Sequence, residues 1–486
     1  MITEDVDYKA KYEEASLELS KLRHELDQLK RLIFGSKHER FIPSVSSSQL
    51  SLGLEEDEPQ PPQQIIKTIQ YNRTSSENKK KITTGRMVLP ASLPREQVII
   101  EPEEDVSGCK KIGEEITEEL EATPMKFFVR QYIRPKYARP QGDGIVIGDL
   151  PSRPIEKGIP GPGLLTMIII GKFIDHLPVY RQIEQFKRSG IILSASTISG
   201  WIDDTCKLLS PLYQAHKVSV LSQGYLQADE TPIKVLDKDK KGSSHRGYHW
   251  VYHAPLTGQV LFDYREGRGR EGPHECLKDF KGYLQADGYE VYEDFGKRPD
   301  ITLLHCMAHA RRKFDEALAN DKARAEYALA ELQKLYAVEK TIREQLLDEK
   351  ESLCLRQEKS IPILNNLKKW MLENYPQVLP QSPIGKALSY SLQRWDSLSL
   401  YATDGKLQID NNLVENTIRP VALGRKNYLF AGSHEGARRA AMLYSLLGTC
   451  KRHGINPFEW LKNTLDKIPD YPINQIHKLL PHNCKM

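Results

Sequence analysis

The chain has 486 residues, 39% hydrophobic and 28% charged, a balance that suits a folded globular protein and excludes wholesale disorder. That length corresponds to about three domains. The 69 Lys and Arg against 65 Asp and Glu leave only +4, so a polyanion partner has to be argued from where the charges sit.

The scattered cysteines (Cys109, Cys206, Cys276, Cys306, Cys354, Cys450 and Cys484) imply no disulfide framework and fit a reducing compartment. The acidic start has no apolar leader, and the most apolar run, Leu164 to Ile170, stops at Gly171-Lys172. A spanning helix needs about 20 apolar residues. The expectation is a cytoplasmic protein without a membrane partner.

Residues 1–42 read as a coiled-coil helix. Tyr12, Ala15, Leu19, Leu22, Leu26, Leu29 and Ile33 alternate steps of three and four, a seam too narrow for a globular core. Residues 8–34 are therefore expected to join copies into a homodimer or higher oligomer, the alternative being a helix lying on its own domain. Residues 43–96 read as a flexible linker, with Ser46-Ser47-Ser48, Glu55-Glu56-Asp57-Glu58, Pro61-Pro62 and Lys79-Lys80-Lys81. Residues 97–145 form a small module, acidic from Glu101 to Glu121 and β-like at Phe127-Phe128-Val129 and Tyr132-Ile133.

Residues 146–215 read as a helical, helix-turn-helix-like region. Tyr180 to Phe186 make one helix, Ser189-Gly190 a turn, and Ser194 caps a second short helix carrying Ile198, Trp201 and Ile202. Arg181, Lys187 and Arg188 are the candidate DNA contacts there, although many helix pairs share this rhythm and touch no DNA. Residues 216–435 open with strands. Tyr225-Leu226-Gln227-Ala228 runs into Asp229, and the same four residue types at 283–286 run into Asp287. Tyr248 to His253, Gln259 to Tyr264 and Ile301 to Leu304 are further strands, followed by a helical insertion over about 310–401. Residues 436–486 form a basic helical C-terminal region.

An aspartate closing a buried strand is costly unless paired or bound to a cation, and two such strands can bring Asp229 and Asp287 to one sheet edge. Carboxylates of this kind suit Mg²⁺ or Mn²⁺. The third acid is Glu415, one turn into a helix that the pair Asn411-Asn412 can cap. Taken singly, each acid reads more readily as an exposed turn or cap residue. The setting favours the cluster: from Asn416 to Ile455 stand Arg419, Arg425, Lys426, Arg438, Arg439, Lys451 and Arg452 against Glu435, which suits a polyanion beside metal ions.

Cys306 and His309 form a Cys-x-x-His, read as a buried thiol and a hydrogen-bonded imidazole in preference to a structural metal pair; Arg311, Arg312 and Lys313 beside them are candidate phosphate contacts. Gly267-Arg268-Gly269-Arg270-Glu271-Gly272 fits a dinucleotide fingerprint, but Pro273 follows at once and leaves no room for the crossover helix, so it reads as a basic loop.

Several motifs together resemble the transposases of bacterial insertion-sequence family 66. They are Leu32 to Lys37, Arg134-Pro135-Lys136-Tyr137-Ala138, Asp175 to Gln182, Ala228-Asp229-Glu230-Thr231, Asp287-Gly288-Tyr289, Cys306 to Phe314, and Asp410 to Glu415 followed by Arg419-Pro420 and Gly424 to Asn427. The resemblance implies an α+β/α multidomain chain with a ribonuclease H-like mixed-sheet core. Its Asp-Asp-Glu triad would be Asp229, Asp287 and Glu415, 58 and 128 residues apart (287 − 229 and 415 − 287), holding two Mg²⁺ or Mn²⁺ ions.

The implied partners are double-stranded DNA, as transposon ends and target, and helper proteins of the same element. Relatives often carry a zinc module with two Cys-x-x-Cys pairs. Here Cys109 remains, but Ile112, Arg139 and Gly142 stand at the other ligand positions, so no structural zinc is expected in this degenerate module. The expected activity is metal-dependent DNA cleavage and strand transfer. The alternatives are an inactive DNA-binding regulator and a related nuclease without strand transfer. Asp229 and Asp287 should end neighbouring strands, Glu415 should project from a helix packed on the same sheet, and at least one of the three should resist ionisation.

Overall fold

The computed structural model describes Leu89 and residues 93–102, 104–123, 126–139, 144–236 and 243–484. The expected coiled-coil helix and most of the linker lie outside the described residues, which all fall in the compact unit Thr84–Met486.

The first sheet contains β1 (Arg95–Ile99), β2 (Lys110–Thr123), β3 (Lys126–Ala138) and β4 (Ile145–Ile147), in the order β1-β3-β2 with β4 also on β3. The region expected as a degenerate zinc-finger-like module is dominated by the long antiparallel pair β2 and β3, and the acidic stretch is a strand from Lys110 onward. Cross-strand partners make this possible: Glu115 faces Arg134, with Nη2 to Oε1 at 2.8 Å, and Glu118 faces Gln131, whose Nε2 donates to Oε1 at 2.7 Å. All the cysteines, Cys109 included, are free thiols.

Helices α1 (Pro162–Phe173), α2 (Val179–Arg188) and α3 (Ala195–Leu221) follow. Ser194 caps α3 through the Thr197 N–H at 3.0 Å. The expected short second helix is instead 27 residues long and continues through Pro211. Its apolar face (Ile198, Ile202, Leu209 and Leu212) is buried along its length, which outweighs the single backbone bond that a proline forfeits.

The second sheet contains β5 (Tyr225–Leu236), β6 (Ser244–Ala254), β7 (Gln259–Arg265), β8 (Gly282–Ala286) and β9 (Ile301–His305), in the order β7-β6-β5-β8-β9. The strands β5, β6 and β7 are antiparallel neighbours, while β8 runs parallel to β5 and β9 parallel to β8. Short helices α4 (Glu271–Cys276) and α5 (Glu290–Glu293) lie in the connections. One face packs Leu226, Ala228, Trp250, Tyr252 and Leu284 together; the other buries Ile233, Val251 and Phe262 against helices.

Edge strand β7 is closed by side chains rather than by another strand. Thr449 Oγ1 and Ser445 Oγ accept the N–H groups of Val260 and Phe262 at 3.0 and 2.7 Å. His216 Nε2 and the Tyr213 hydroxyl donate to the carbonyls of the same two residues, both at 2.7 Å.

After β9 come α6 (Met307–Glu316), α7 (Lys322–Glu344), α8 (Glu349–Leu355), α9 (Ile361–Asn374), α10 (Pro383–Gln393) and α11 (Trp395–Ser399). They share a core of Leu332, Leu335, Leu364, Leu367 and Leu388, which reaches Tyr225 and Leu304 of the sheet. The chain then returns as α12 (Asn412–Tyr428), α13 (His434–Arg452) and α14 (Pro457–Lys467). A single apolar cluster takes in Leu120, Leu164, Leu209, Val251, Val421, Leu443 and Leu461, so packing runs unbroken across 145/146, 215/216 and 435/436. Among the described residues no helix is long and apolar enough to cross a membrane.

Candidate active site

Strands β5 and β8 pair in parallel with Tyr225 opposite Tyr283 and Gln227 opposite Gln285, a register that brings Asp229 level with Asp287. Asp287 follows the last residue of β8, as expected. Asp229 does not end its strand: β5 continues to Leu236 because β6 still pairs with it, Asp229 opposite Val251.

The repeated Tyr-Leu-Gln-Ala-Asp has a physical purpose. Gln285 Oε1 accepts from the Tyr225 hydroxyl (2.5 Å) and from Gln227 Nε2 (2.9 Å), and both glutamines are fully buried. Their remaining donors hold the returning chain: Gln285 Nε2 bonds the Gln408 carbonyl at 2.8 Å, and Gln227 Nε2 the Asp410 carbonyl at 2.9 Å. The Gln408 N–H in turn donates to Tyr225 Oη at 3.2 Å. This clasp fixes the segment that opens α12, whose first turn carries Glu415 and which packs on β5 and β6.

The expected Asn capping is not what starts α12. Asn411 occupies the cap position but its fully buried side chain makes no cap bond; Asp410 Oδ1 accepts the Asn412 N–H at 3.1 Å instead. Nor do Cys306 and His309 act as a pair. Cys306 Sγ accepts the Asn411 N–H at 3.4 Å, whereas His309 turns into the carboxylate site, Nε2 lying 3.8 Å from Glu415 Oε1. The expected hydrogen-bonded imidazole is not seen either: His309 Nδ1 is buried without a partner.

The electrostatics tie the acids together. Burial pushes the Asp229 carboxyl well above the usual carboxylate range, and the negative charges of Glu230, Asp287 and Glu415 push it further, against the Glu230 N–H that Oδ1 accepts at 2.7 Å. Glu230 is raised by burial and by Asp287, and held down by Arg268. Burial lowers His309, opposed by Asp287 and Glu415. Asp287 Oδ1 accepts the Tyr289 N–H at 2.9 Å. Between them Gly288 leaves room for the insertion: a Cβ there would lie 2.8 Å from the Tyr390 ring and 3.0 Å from Arg394 Nε. Arg394 Nη2 and His305 Nε2 both meet Glu293 Oε1, at 2.9 and 3.2 Å, and so fasten the insertion behind Asp287.

An all-oxygen donor set of this charge suits a hard divalent cation. As the side chains lie, no three His, Cys, Asp or Glu among the described residues stand close enough to hold one metal ion. Asp229 and Asp287 stand level on adjacent strands, and Glu415 is near enough to raise the Asp229 carboxyl.

Of the candidate DNA contacts, Arg181, Lys187 and Arg188 are exposed on α2, Arg311 and Arg312 on α6, and Arg419 and Lys426 on α12. Lys313 is half-buried and pairs with Glu316 at 3.2 Å. Arg425 is turned inward, Nη1 donating to Thr231 Oγ1 (2.9 Å) and to the Pro232 carbonyl (2.7 Å), so it pins α12 to β5. Sequence reasoning missed Glu230, Arg268 and the glutamine clasp, although the repeated pentapeptide was the signal for the last.

Comparison with known families places this architecture. The family described as "Transposase IS66 family" matches residues 157–439, an "IS66 C-terminal element" matches 445–482, and "Transposase C of IS166 homeodomain" matches 21–98. Among curated proteins, y4jD of Sinorhizobium fredii (strain NBRC 101917 / NGR234) is 32% identical, covering 96% of this chain and 94% of its own length. The protein y4qI of the same organism is 33% identical, over 98% of this chain and 91% of its own. YuaK of Escherichia coli (strain K12) is 39% identical over 49 residues, 10% of this chain and 52% of its own length. With family matches over more than half its length and full-length relatives at this identity, the chain belongs to the IS66 family of transposases.

Proposed function

We propose that the chain is a DDE-type transposase with a ribonuclease H-like core, cutting and joining phosphodiester bonds at the ends of an insertion sequence. The observation that carries this reading is the meeting of Asp229 and Asp287 at one level of adjacent parallel strands, with Glu415 raising the same Asp229 carboxyl from a helix packed on that sheet. Asp229, Asp287 and Glu415 would hold Mg²⁺ or Mn²⁺, two ions per site. Such ions supply charge stabilisation and an activated oxygen nucleophile for in-line displacement at phosphorus.

The protein's own contribution is positional. The glutamine clasp brings Glu415 back across the insertion, and His309 sits beside it as a half-buried imidazole that can share a proton or a hydrogen bond at Oε1. Exposed Arg and Lys on α2, α6 and α12 supply sequence-independent attraction for the DNA backbone. Association through residues 8–34 would bring two DNA ends together, and helper proteins of the same element are further partners. Cys109 lacks the other thiolates that a structural zinc needs.

The test replaces Asp229, Asp287 and Glu415 by Ala one at a time. Each variant should fold and bind terminal duplexes but lose cleavage and joining by several orders of magnitude. Near-normal joining by any one of them would remove that residue from the triad. Cleavage without joining by the wild type would reassign the chain as a nuclease.

A further inference from the structure

The glycine-flanked loop between β7 and α4 contributes no acid to the proposed triad, yet it delivers a cation to the triad's flank. Arg268 donates from Nε (2.9 Å) and Nη2 (2.5 Å) to Oε1 of Glu230, the residue after Asp229. Its guanidinium carbon lies 4.0 Å from the centre of the Tyr289 ring, two residues beyond Asp287. The Tyr289 hydroxyl donates back to the Arg268 carbonyl at 2.9 Å, so the loop and its platform hold each other.

The pair is asymmetric. The Glu230 side chain is 4% exposed and that of Arg268 46%, so the carboxylate is sunk in the protein while the guanidinium faces outward. Both bonds are spent on one oxygen, which leaves Nη1 without a partner among the described residues. An arginine stays charged at any working pH and offers its free edge as a planar fork suited to phosphate oxygens. Three carboxylates repel a nucleic-acid strand, and a cation fixed at their flank offsets that repulsion at one defined place.

We propose that Arg268 is a phosphate anchor for the strand being cut. It binds a non-bridging oxygen of a phosphodiester next to the reacting one, while Glu230 fixes the guanidinium and Tyr289 fixes its plane. The assignment rests on the transposase reading above and adds the part of the substrate that this loop recognises. The alternative is a purely structural arginine that neutralises Glu230.

The experiment uses the full-length protein and duplexes of the DNA flanking its gene, with neutral methylphosphonates placed one at a time around the cleaved bond. Wild-type cleavage should fall roughly ten- to a hundredfold at one or two positions, the cost of losing a charge-assisted hydrogen bond. Arg268→Ala should cut the all-phosphate duplex slower by a similar factor and show no further loss at those positions. Because Arg268→Ala strands a buried carboxylate, Arg268→Ala/Glu230→Gln is measured beside it and should show the same missing penalty with its melting temperature restored. Arg268→Lys, which keeps a charge on Glu230 without the fork, should shrink that penalty only partly. Unchanged cleavage by the Arg268 variants, or an undiminished penalty at every position, would overturn the anchor and leave the transposase reading intact. A wild type that binds these duplexes but never cuts them would overturn both.

Discussion

Replacing Gln285 by Leu tests whether the buried clasp is what carries Glu415 back to the sheet. The two side chains have similar volume, so the change removes hydrogen bonds with little cavity cost. Three bonds go: those from Tyr225 Oη and Gln227 Nε2, and the one to the Gln408 carbonyl. Gln227 keeps its bond to Asp410, but the buried Tyr225 hydroxyl loses its acceptor and the half-buried Gln408 carbonyl its donor. At about 1–3 kcal/mol for each buried polar group left unsatisfied, and less for the half-buried carbonyl, the expected loss is about 2–5 kcal/mol. That is a large share of a typical stability of about 5–15 kcal/mol. The assay is urea denaturation followed by tryptophan fluorescence, since all five tryptophans lie in Thr84–Met486. DNA cleavage, measured where the variant is still folded, should fall further than the folded fraction does, because Glu415 loses its tether. A stability loss below about 1 kcal/mol with full cleavage would refute the reasoning.

Three other outcomes follow from the same geometry. Asp229 resists ionisation in the folded state, so wild-type stability in metal-free buffer should fall as pH rises from the ordinary carboxylate range through its raised folded-state pKa. Asp229→Asn should flatten that fall and be the more stable protein at pH 8 while failing to cut DNA; lower stability than wild type at pH 8 would count against a strained carboxylate. Glu119, pushed up to about 7 by burial first and then by Glu121, contributes a second such fall between about pH 4.5 and 7. Glu119→Gln should therefore gain on the order of 3 kcal/mol at pH 8 and nothing at pH 4, read from urea midpoints at the two pH values. Leu22→Asp combined with Leu29→Asp should lower the mass seen in sedimentation, and an unchanged mass would place the oligomer contact elsewhere.

The second sheet was legible because its strands are apolar runs bounded by glycine loops and two of its acids follow the same four residue types; the helices of the insertion after it lie between Met307 and Thr403. What was not legible depended on partners far away in the chain. The acidic run gives no strand signal of its own, and Gln131 and Arg134 stand opposite Glu118 and Glu115 within it. Arg425 reads as a phosphate ligand by type, and only the nearness of Thr231 turns it into a brace. Cys306 and His309 share a motif, but one stands just before α6 and the other sits in its first turn, so their side chains meet Asn411 and Glu415 respectively. Nothing in the spacing of the basic loop announced Glu230 as its partner.

The clasp also bears on when, during synthesis, the proposed triad is completed. Synthesis delivers Asp229 and Asp287 early, and their strands can pair as soon as they emerge, whereas Glu415 arrives 128 residues after Asp287 (415 − 287). Its seat, moreover, consists of glutamines whose partners, the Gln408 and Asp410 carbonyls, also lie beyond the helices that pack on Tyr225 and Leu304. A ribosome stalled anywhere in the insertion therefore releases a chain with two of its three acids and an empty clasp. On the proposed triad such a chain would lack its third acid, so an unfinished copy would be unable to cut DNA.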